Sequence, residues 1–181
     1  ISDKPIVLFF GFFIIAAFIY FPIFGFTFFQ DDFVWISHAK DIWAGRENIF
    51  TLRISNFVMP TVYGYFALAY KLFSLHVIFY YLFNIFLHTL NSFLLFKIIK
   101  KFLPKNIALL CGVLFLTLRY PLEAVSWISA VTVLLVSLFL LCSGLLWLKY
   151  LESMKRLDYF FTTLSILLLI FTKEWSVLAL P

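Results

Sequence analysis

The sequence predicts an all-α membrane protein, a polytopic helix bundle with about five transmembrane helices and interfacial amphipathic helices in its first external loop. Of the 181 residues, 64% are hydrophobic and only 13% are charged, whereas about a quarter of the residues in an average soluble domain are charged. The 26 Phe, 9 Tyr and 5 Trp carry too much apolar surface for a disordered chain. Lipid is therefore the expected solvent, and residues 1–181 are expected to form a single transmembrane domain.

Long stretches without charge mark the expected spans. A helix needs about 20 apolar residues to cross the hydrocarbon core, and three stretches of this chain exceed that length without a charged residue. A fourth is shorter and ends near Arg119, and a fifth is interrupted by Lys173 and Glu174. The predicted spans are, in order, residues 5–29, 75–98, 106–121, 124–148 and 158–177, with residues 30–74 as the external loop.

Basic residues in the short links predict the orientation. The link after the second span contains Lys97, Lys100, Lys101 and Lys105 without an acid, and the link after the fourth contains Lys149, Lys155 and Arg156. Cytoplasmic loops are enriched in Lys and Arg, so both links and the amino terminus are predicted to be cytoplasmic. The external loop, the turn 119–123 and residues 173–174 then share the non-cytoplasmic face, in either a bacterial inner membrane or the endoplasmic reticulum.

The external loop is predicted to contain two interfacial helices. From Asp32 to Ala44, apolar residues recur at helical spacing beside polar ones, which is typical of an amphipathic helix lying in the interface. Gly45 suits the end of this helix. After Pro60 a second apolar stretch, residues 61–75, is broken only by one lysine. The alternative for this stretch is a shallow crossing, which would invert every later orientation.

Two adjacent acids, Asp31 and Asp32, follow the first span directly. One interpretation is a helix cap, because an aspartate at this position accepts backbone N–H bonds and stabilises a helix by about 1 kcal/mol. The other is chemical. A carboxylate partly removed from water beside a second carboxylate is a better proton acceptor, so the pair is a candidate general base or cation ligand.

A second group of ionisable residues is predicted at the same face. It contains Arg53, Arg119, Lys173 and Glu174, with Glu123 close to Arg119 in the sequence. Charges at the edge of a bilayer are usually paired or functional. Pairing of Lys173 with Glu174, or of Arg119 with Glu123, would make them interface anchors. The alternative is a binding site for a lipid phosphate, since Arg and Lys are its usual protein partners.

The second span contains a polar stripe, Asn84, His88, Asn91 and Ser92, at spacings that place all four on one helix face. Such stripes most often bond neighbouring helices, and the alternative is a lining for a substrate path. The two histidines of this region, His76 and His88, lack the flanking carboxylate of a metal shell. The sequence contains neither a glycine-rich phosphate loop nor a basic stretch outside the ends of spans, so neither nucleotide nor nucleic acid binding is expected.

Four segments together resemble one family. Gln30-Asp31-Asp32-Phe33-Val34-Trp35 resembles the acidic motif in the first external loop of GT-C glycosyltransferases that use polyprenyl-phosphate sugars, a class that includes protein O-mannosyltransferases and aminoarabinose transferases. The other three segments are similar to later family segments and occur in the same order. They are Arg53 with residues 81–91, Tyr120-Pro121-Leu122-Glu123-Ala124-Val125-Ser126-Trp127-Ile128, and Thr172-Lys173-Glu174 followed by Leu180-Pro181.

The resemblance implies an activity. A sugar would pass from a polyprenyl-phosphate donor to a hydroxyl of a protein, lipid or glycan at the non-cytoplasmic face, with inversion, and Asp31 or Asp32 would be the base. The donor phosphate would be held by Arg53, Arg119 and Lys173, in that order of preference, while Glu123, Glu174, His88 and Asn84 would support the site. A divalent cation is compatible with the class, although none of these residues requires one. Family members usually have more spans, so the chain is expected to be the amino-terminal part of a larger enzyme.

The sequence departs from the family at several positions. Tyr120-Pro121 stands where many members have His-Pro, Ile54 follows Arg53 where they have Pro, and residues 129–134 lack the Arg and Asp found after the Trp-Ile pair. These departures bear on the sugar and the acceptor. Two functions from other classes are the alternatives: a transporter or flippase, in which the polar stripe lines a path, and a non-catalytic subunit of a membrane assembly.

Overall fold

The computed structural model describes residues 4–54 and 57–173, with the side chains of residues 119–121 left out. The described chain is helical, as predicted, and its one β-type pairing is an isolated bridge between Ile54 and Phe57. Two short 3-10 helices, Phe21–Gly25 and Ile128–Ala130, accompany the α-helices. The α-helices are α1 (Pro5–Ile19), α2 (Asp32–Trp43), α3 (Pro60–Phe73), α4 (Val77–Ile99), α5 (Lys105–Thr117), α6 (Arg119–Ser126), α7 (Val131–Ser153) and α8 (Arg156–Ile170).

Two stretches of helix in the described chain are long and apolar enough to cross a membrane. They are α4 and the continuous stretch Ile128–Ser153, which includes α7. Helices α1 and α5 are apolar but shorter. Length and composition therefore support membrane association by two helices, and five spans stay a prediction.

The first predicted span, residues 5–29, is not one continuous helix. Helix α1 ends at Ile19, and a 3-10 helix with a proline, Pro22, in its first turn follows. Proline lacks the N–H that would continue an α-helical hydrogen-bond ladder, and its ring clashes with the preceding turn. Beyond this turn Phe26 is extended. The uncharged run was long enough for a span, but hydropathy alone contains no information on where its helix stops.

The end of the third predicted span, 106–121, and the start of the fourth, 124–148, instead form a separate helix, α6. The backbone of Leu118 is extended, with φ −64° and ψ 145°, and it separates α5 from α6. Trp127 is extended as well, so α6 is isolated on both sides. This short helix and the turn that follows it lie at the end of the bundle where α7 begins.

Helix α4 contacts most of the other helices, namely α1, α3, α5, α6 and α7. Its polar stripe is fully buried and donates hydrogen bonds to backbone carbonyls of its neighbours. Asn84 Nδ2 lies 3.3 Å from the Val125 oxygen, Asn91 Nδ2 lies 2.9 Å from that of Leu134, and Ser92 Oγ lies 2.6 Å from that of Gly112. The predicted helix-bonding role of the stripe is confirmed.

Glycine is required where α5 meets α1. A β-carbon at Gly112 would lie 2.8 Å from Cζ of Phe12 and 3.3 Å from Cβ of Phe96. Both phenylalanines are buried, so there is little space into which they could move. The small residue lets the helices approach closely, as is common in membrane bundles.

Two helices are present, as predicted, within residues 30–74, namely α2 and α3, and they pack on each other, while their place in a membrane interface stays a prediction. Trp35 stacks on Phe66 with ring centroids 5.0 Å apart, and the indole N–H of Trp43 donates to the Ala67 oxygen at 2.6 Å. Gly45 follows α2 with a φ of +72°, a conformation that glycine adopts without strain. The predicted end of this helix is thereby confirmed.

Candidate functional site

A cavity of about 460 Å³ lies at the end of the bundle where α2 begins. Its lining includes two carboxylates and one ammonium group, from Asp31, Glu123 and Lys173, together with the aromatic residues Trp35 and Trp127. We call it the Asp31 cavity. These residues come from the start of α2, from α6 and the residue after it, and from the segment after α8, which are distant in sequence. Its size falls within the range of about 300–1,000 Å³ that is usual for small-molecule sites.

Asp31 is delivered to the cavity by an anchored loop. The Tyr81 hydroxyl of α4 donates to the Thr27 oxygen at 3.2 Å, and Gln30 has a φ of 45° that turns the chain into α2. Asp31 itself is exposed, and its side chain makes no capping hydrogen bond to α2. Asp31 therefore occupies the cap position of α2 without the side-chain hydrogen bond that the cap interpretation requires, and its carboxylate is open to a ligand.

Asp32 has the opposite environment and is fully buried. Its Oδ1 accepts hydrogen bonds from the backbone N–H of Ser129 at 2.8 Å and from the Ser129 hydroxyl at 2.5 Å. Its Oδ2 accepts from the N–H of Phe29 at 2.9 Å. The two donors of Ser129 hold the loop before α2 against the turn before α7, and the Phe29 N–H bonds within that loop. Asp32 is therefore a structural clamp, and of the two adjacent acids only Asp31 lines the cavity.

Lys173 reaches the cavity because the end of α8 is tied to the beginning of α3. The hydroxyl and the N–H of Thr61 donate to the oxygens of Leu168 and Phe171, at 3.2 and 3.3 Å. Glu123, on α6, is exposed and lines the same cavity. One predicted cation and one predicted supporting acid thus line the same cavity as Asp31, although the sequence separates all three widely.

The other predicted site residues lie elsewhere or outside the described part of the chain. Arg53 lines a different cavity, of about 570 Å³, with Arg46 and Glu47 in the loop after α2. The side chain of Arg119 and the whole of Glu174 fall outside the described residues. The pairings proposed for these two residues therefore stay predictions.

Asn84 and His88, predicted as supporting residues, belong to the interior of the bundle rather than to the Asp31 cavity. Nε2 of His88 lies 3.4 Å from the Leu116 oxygen, and its ring packs edge-on against Tyr20 at 5.5 Å. His88 lines a separate cavity of about 200 Å³ between α4, α5 and α7. Asn84 and His88 do not line the Asp31 cavity, so they can influence it only by holding the surrounding helices in place.

Three residues of the site were not predicted. Trp35 and Trp127 are walls of the Asp31 cavity, and Trp127 also lines a neighbouring cavity of about 530 Å³ with Phe26 and Phe29. Ser129 is the partner of Asp32. The aromatic content around Asp31 was a weak signal for Trp35. No local pattern connects a serine before α7 with an aspartate before α2, because that contact depends on how the helices pack.

Comparison with known proteins identifies no relative of this chain. No family model matches the chain, and neither a curated protein nor a solved structure matches it. The resemblance to GT-C glycosyltransferases thus depends on the four sequence segments.

The described residues contain no group of three or more His, Cys, Asp or Glu side chains arranged to hold a metal ion. The two carboxylates in the Asp31 cavity, from Asp31 and Glu123, are joined there by an ammonium group rather than by a third acid or a histidine. The chemistry available to the described residues is proton acceptance by a carboxylate and attraction of an anion by Lys173.

Proposed function

We propose that this chain is the catalytic membrane part of a GT-C-type glycosyltransferase, which transfers a sugar from a polyprenyl phosphate to an acceptor hydroxyl at the non-cytoplasmic face. The observation that carries the proposal is the meeting of Asp31, Glu123 and Lys173 in one cavity. Each of these residues lies in a segment that resembles the family. A cavity that joins a carboxylate to a cation at the end of an apolar bundle suits a hydroxyl acceptor and a lipid-borne phosphate.

In the proposed reaction Asp31 accepts the proton of the acceptor hydroxyl. The hydroxyl oxygen attacks the anomeric carbon of the sugar from the side opposite the phosphate, and the bond between that carbon and the phosphate oxygen breaks. The electron pair leaves with the polyprenyl phosphate, so the anomeric configuration inverts. Lys173 stabilises the negative charge that develops on the leaving phosphate.

The surface of the bundle agrees with a place in lipid. Helix α1 exposes large apolar side chains, with Ile14 68% and Phe18 84% accessible, and monomeric soluble proteins rarely expose large contiguous apolar patches. The polyprenyl chain of the donor would lie along such a surface. The neighbouring cavity beside Trp127, lined by Phe26 and Phe29, suits its first isoprene units.

The transporter alternative has less support in the geometry. It requires the polar stripe of α4 to face a solute path, whereas Asn84, Asn91 and Ser92 donate their hydrogen bonds to backbone carbonyls of neighbouring helices. The subunit alternative has no specific observation in its favour. Both predict the absence of covalent product, which the following experiment measures.

The test is release of polyprenyl phosphate from polyprenyl-phosphate mannose, glucose or aminoarabinose, in membranes that contain the full chain. This product forms whatever the acceptor is. We expect Asp31→Asn to lower the rate by about 100-fold or more, the usual range for loss of a general base, with normal accumulation of the protein. Asp41→Asn is the matched control, because Asp41 lies on the same helix but pairs with Arg46 outside the cavity. Normal turnover by the Asp31 variant would remove it as the base.

A further inference from the structure

The end of the bundle opposite the Asp31 cavity carries a concentrated positive charge. The link between α4 and α5 and the link between α7 and α8 lie side by side there, because Lys101 Nζ of the first contacts Glu152 Oε1 near the second at 2.5 Å. We call this surface the basic end. It contains Lys97, Lys100, Lys101, Lys105, Lys149, Lys155 and Arg156.

The acids of the basic end are already engaged. Glu152 contacts Lys101, and Asp158 is buried with its Oδ1 at 2.6 Å from Lys149 Nζ and its Oδ2 at 2.8 Å from the Ser153 hydroxyl. Their partners are Lys101 and Lys149. Lys100, Lys155 and Arg156 are exposed beside them, so the surface retains a net positive charge.

Large apolar side chains lie between these cations. Phe102 is 68% exposed and Leu103 46%, in the α4–α5 link, while Met154 is 69% and Leu157 66% exposed at the α7–α8 link. A purely solvated basic loop has no physical reason to expose such residues. Apolar side chains interleaved with Lys and Arg are typical of surfaces that enter the headgroup region of anionic membranes.

We propose that the basic end binds the phosphate-bearing headgroup of anionic phospholipids, with Lys100, Lys155 and Arg156 at the phosphate and the apolar side chains among the acyl chains. The cations alone would also attract free phosphate or a soluble polyanion. The exposed side chains of Phe102 and Met154 favour a phospholipid as the ligand, because neither free phosphate nor a soluble polyanion would remove them from water. This proposal needs the helices to lie in a membrane, but it does not need sugar transfer by the Asp31 cavity.

The test compares phosphatidylglycerol with phosphatidylcholine, titrated onto the detergent-solubilised full chain and counted by native mass spectrometry. We expect tighter binding of phosphatidylglycerol, weakened by added salt. Each cation near an anionic surface contributes about fivefold in affinity, so Lys100→Gln with Arg156→Gln should lower the affinity about 25-fold. The matched control, Lys40→Gln with Arg46→Gln, makes the same change in net charge at the other end and should leave phosphatidylglycerol binding unchanged.

A variant that is expected to increase the affinity for phosphatidylglycerol makes the test more specific. Glu152→Gln removes the exposed acid beside Lys101, and we expect phosphatidylglycerol binding to tighten about fivefold. Equal affinity for both lipids would overturn the proposal, and so would an equal loss in the two double variants, which would indicate attraction by overall charge. Glycerol phosphate that competes at the same concentration as the lipid would also overturn it, because the site would then recognise a soluble phosphate. These experiments measure lipid binding and not sugar transfer. Their outcomes therefore test the basic end even if the Asp31 cavity has no transferase activity.

Discussion

Two of the regions where polar side chains gather in this apolar chain, the stripe on α4 and the Asp31 cavity, differ in what their polar atoms contact. In the stripe, Asn84, Asn91 and Ser92 are fully buried and donate to backbone carbonyls. In the cavity, Asp31 and Glu123 are exposed and face an open space. The first region holds helices together, whereas the second is available to a ligand.

The same contrast occurs between two adjacent residues. Asp31 and Asp32 have identical chemistry, yet Asp32 accepts three hydrogen bonds inside the protein and Asp31 lines the cavity. A polar residue in an apolar sequence therefore does not by itself indicate function. What separates the two roles is whether the protein itself satisfies the hydrogen-bonding capacity of the side chain.

The largest effect on stability should follow removal of the clamp. Asp32→Ala leaves the Ser129 N–H, the Ser129 hydroxyl and the Phe29 N–H without their acceptor, and we expect a loss of about 3–5 kcal/mol in the free energy of unfolding. Asp31→Ala, on the exposed neighbour, should change it by less than about 0.5 kcal/mol. Unfolding in mixed micelles with increasing dodecyl sulfate measures both. Equal losses would mean that the two acids share one role.

A double-mutant cycle identifies the partner of Asp32. With Ser129→Ala as the second change, the coupling energy between the two residues should be about 1–3 kcal/mol. The single Ser129→Ala variant keeps the backbone N–H donor, so it should lose less than Asp32→Ala. A coupling energy near zero would mean that Asp32 does not stabilise the protein through the Ser129 side chain.

Close packing beside the polar stripe should give the next effect. Gly112→Ala forces Phe12 and Phe96 to move, and we expect a loss of about 1–3 kcal/mol. Gly11→Ala is the matched control, because a β-carbon there meets nothing within 4 Å, and removal of a helical glycine should stabilise the protein by about 0.5–1 kcal/mol. If α1 and α5 are in tight contact, the change in the free energy of unfolding has opposite signs in the two variants, measured by the same unfolding experiment. Equal signs would contradict the tight contact.

The smallest effect is expected within the stripe itself. Asn91→Leu removes the hydrogen bond to the Leu134 carbonyl, but it also removes a buried Oδ1 that has no hydrogen-bond partner among the described residues. The two contributions oppose each other, so the loss should be about 1 kcal/mol or less. Release of polyprenyl phosphate should be unchanged. Loss of turnover with intact stability would give the stripe a role in the reaction and remove the contrast with the cavity.

Much of the fold follows from local patterns. The spacing of Asn84, His88, Asn91 and Ser92 predicted one buried face of α4, and Gly45 predicted the end of α2. Patterns of this kind are local, since the helical period and the backbone freedom of glycine act within a few residues. The same reasoning placed a single span over residues 5–29, where a proline instead ends the α-helical run and starts a 3-10 turn.

The sequence by itself determined an apolar helical chain with an amphipathic α2, because composition and periodicity need no knowledge of distant neighbours. Only the tertiary structure decided which of the two acids is open, that Lys173 and Glu123 join it, and that Arg53 lies in another cavity. Those outcomes depend on contacts such as that of Asp32 with Ser129, which form when helices far apart in the chain are packed together.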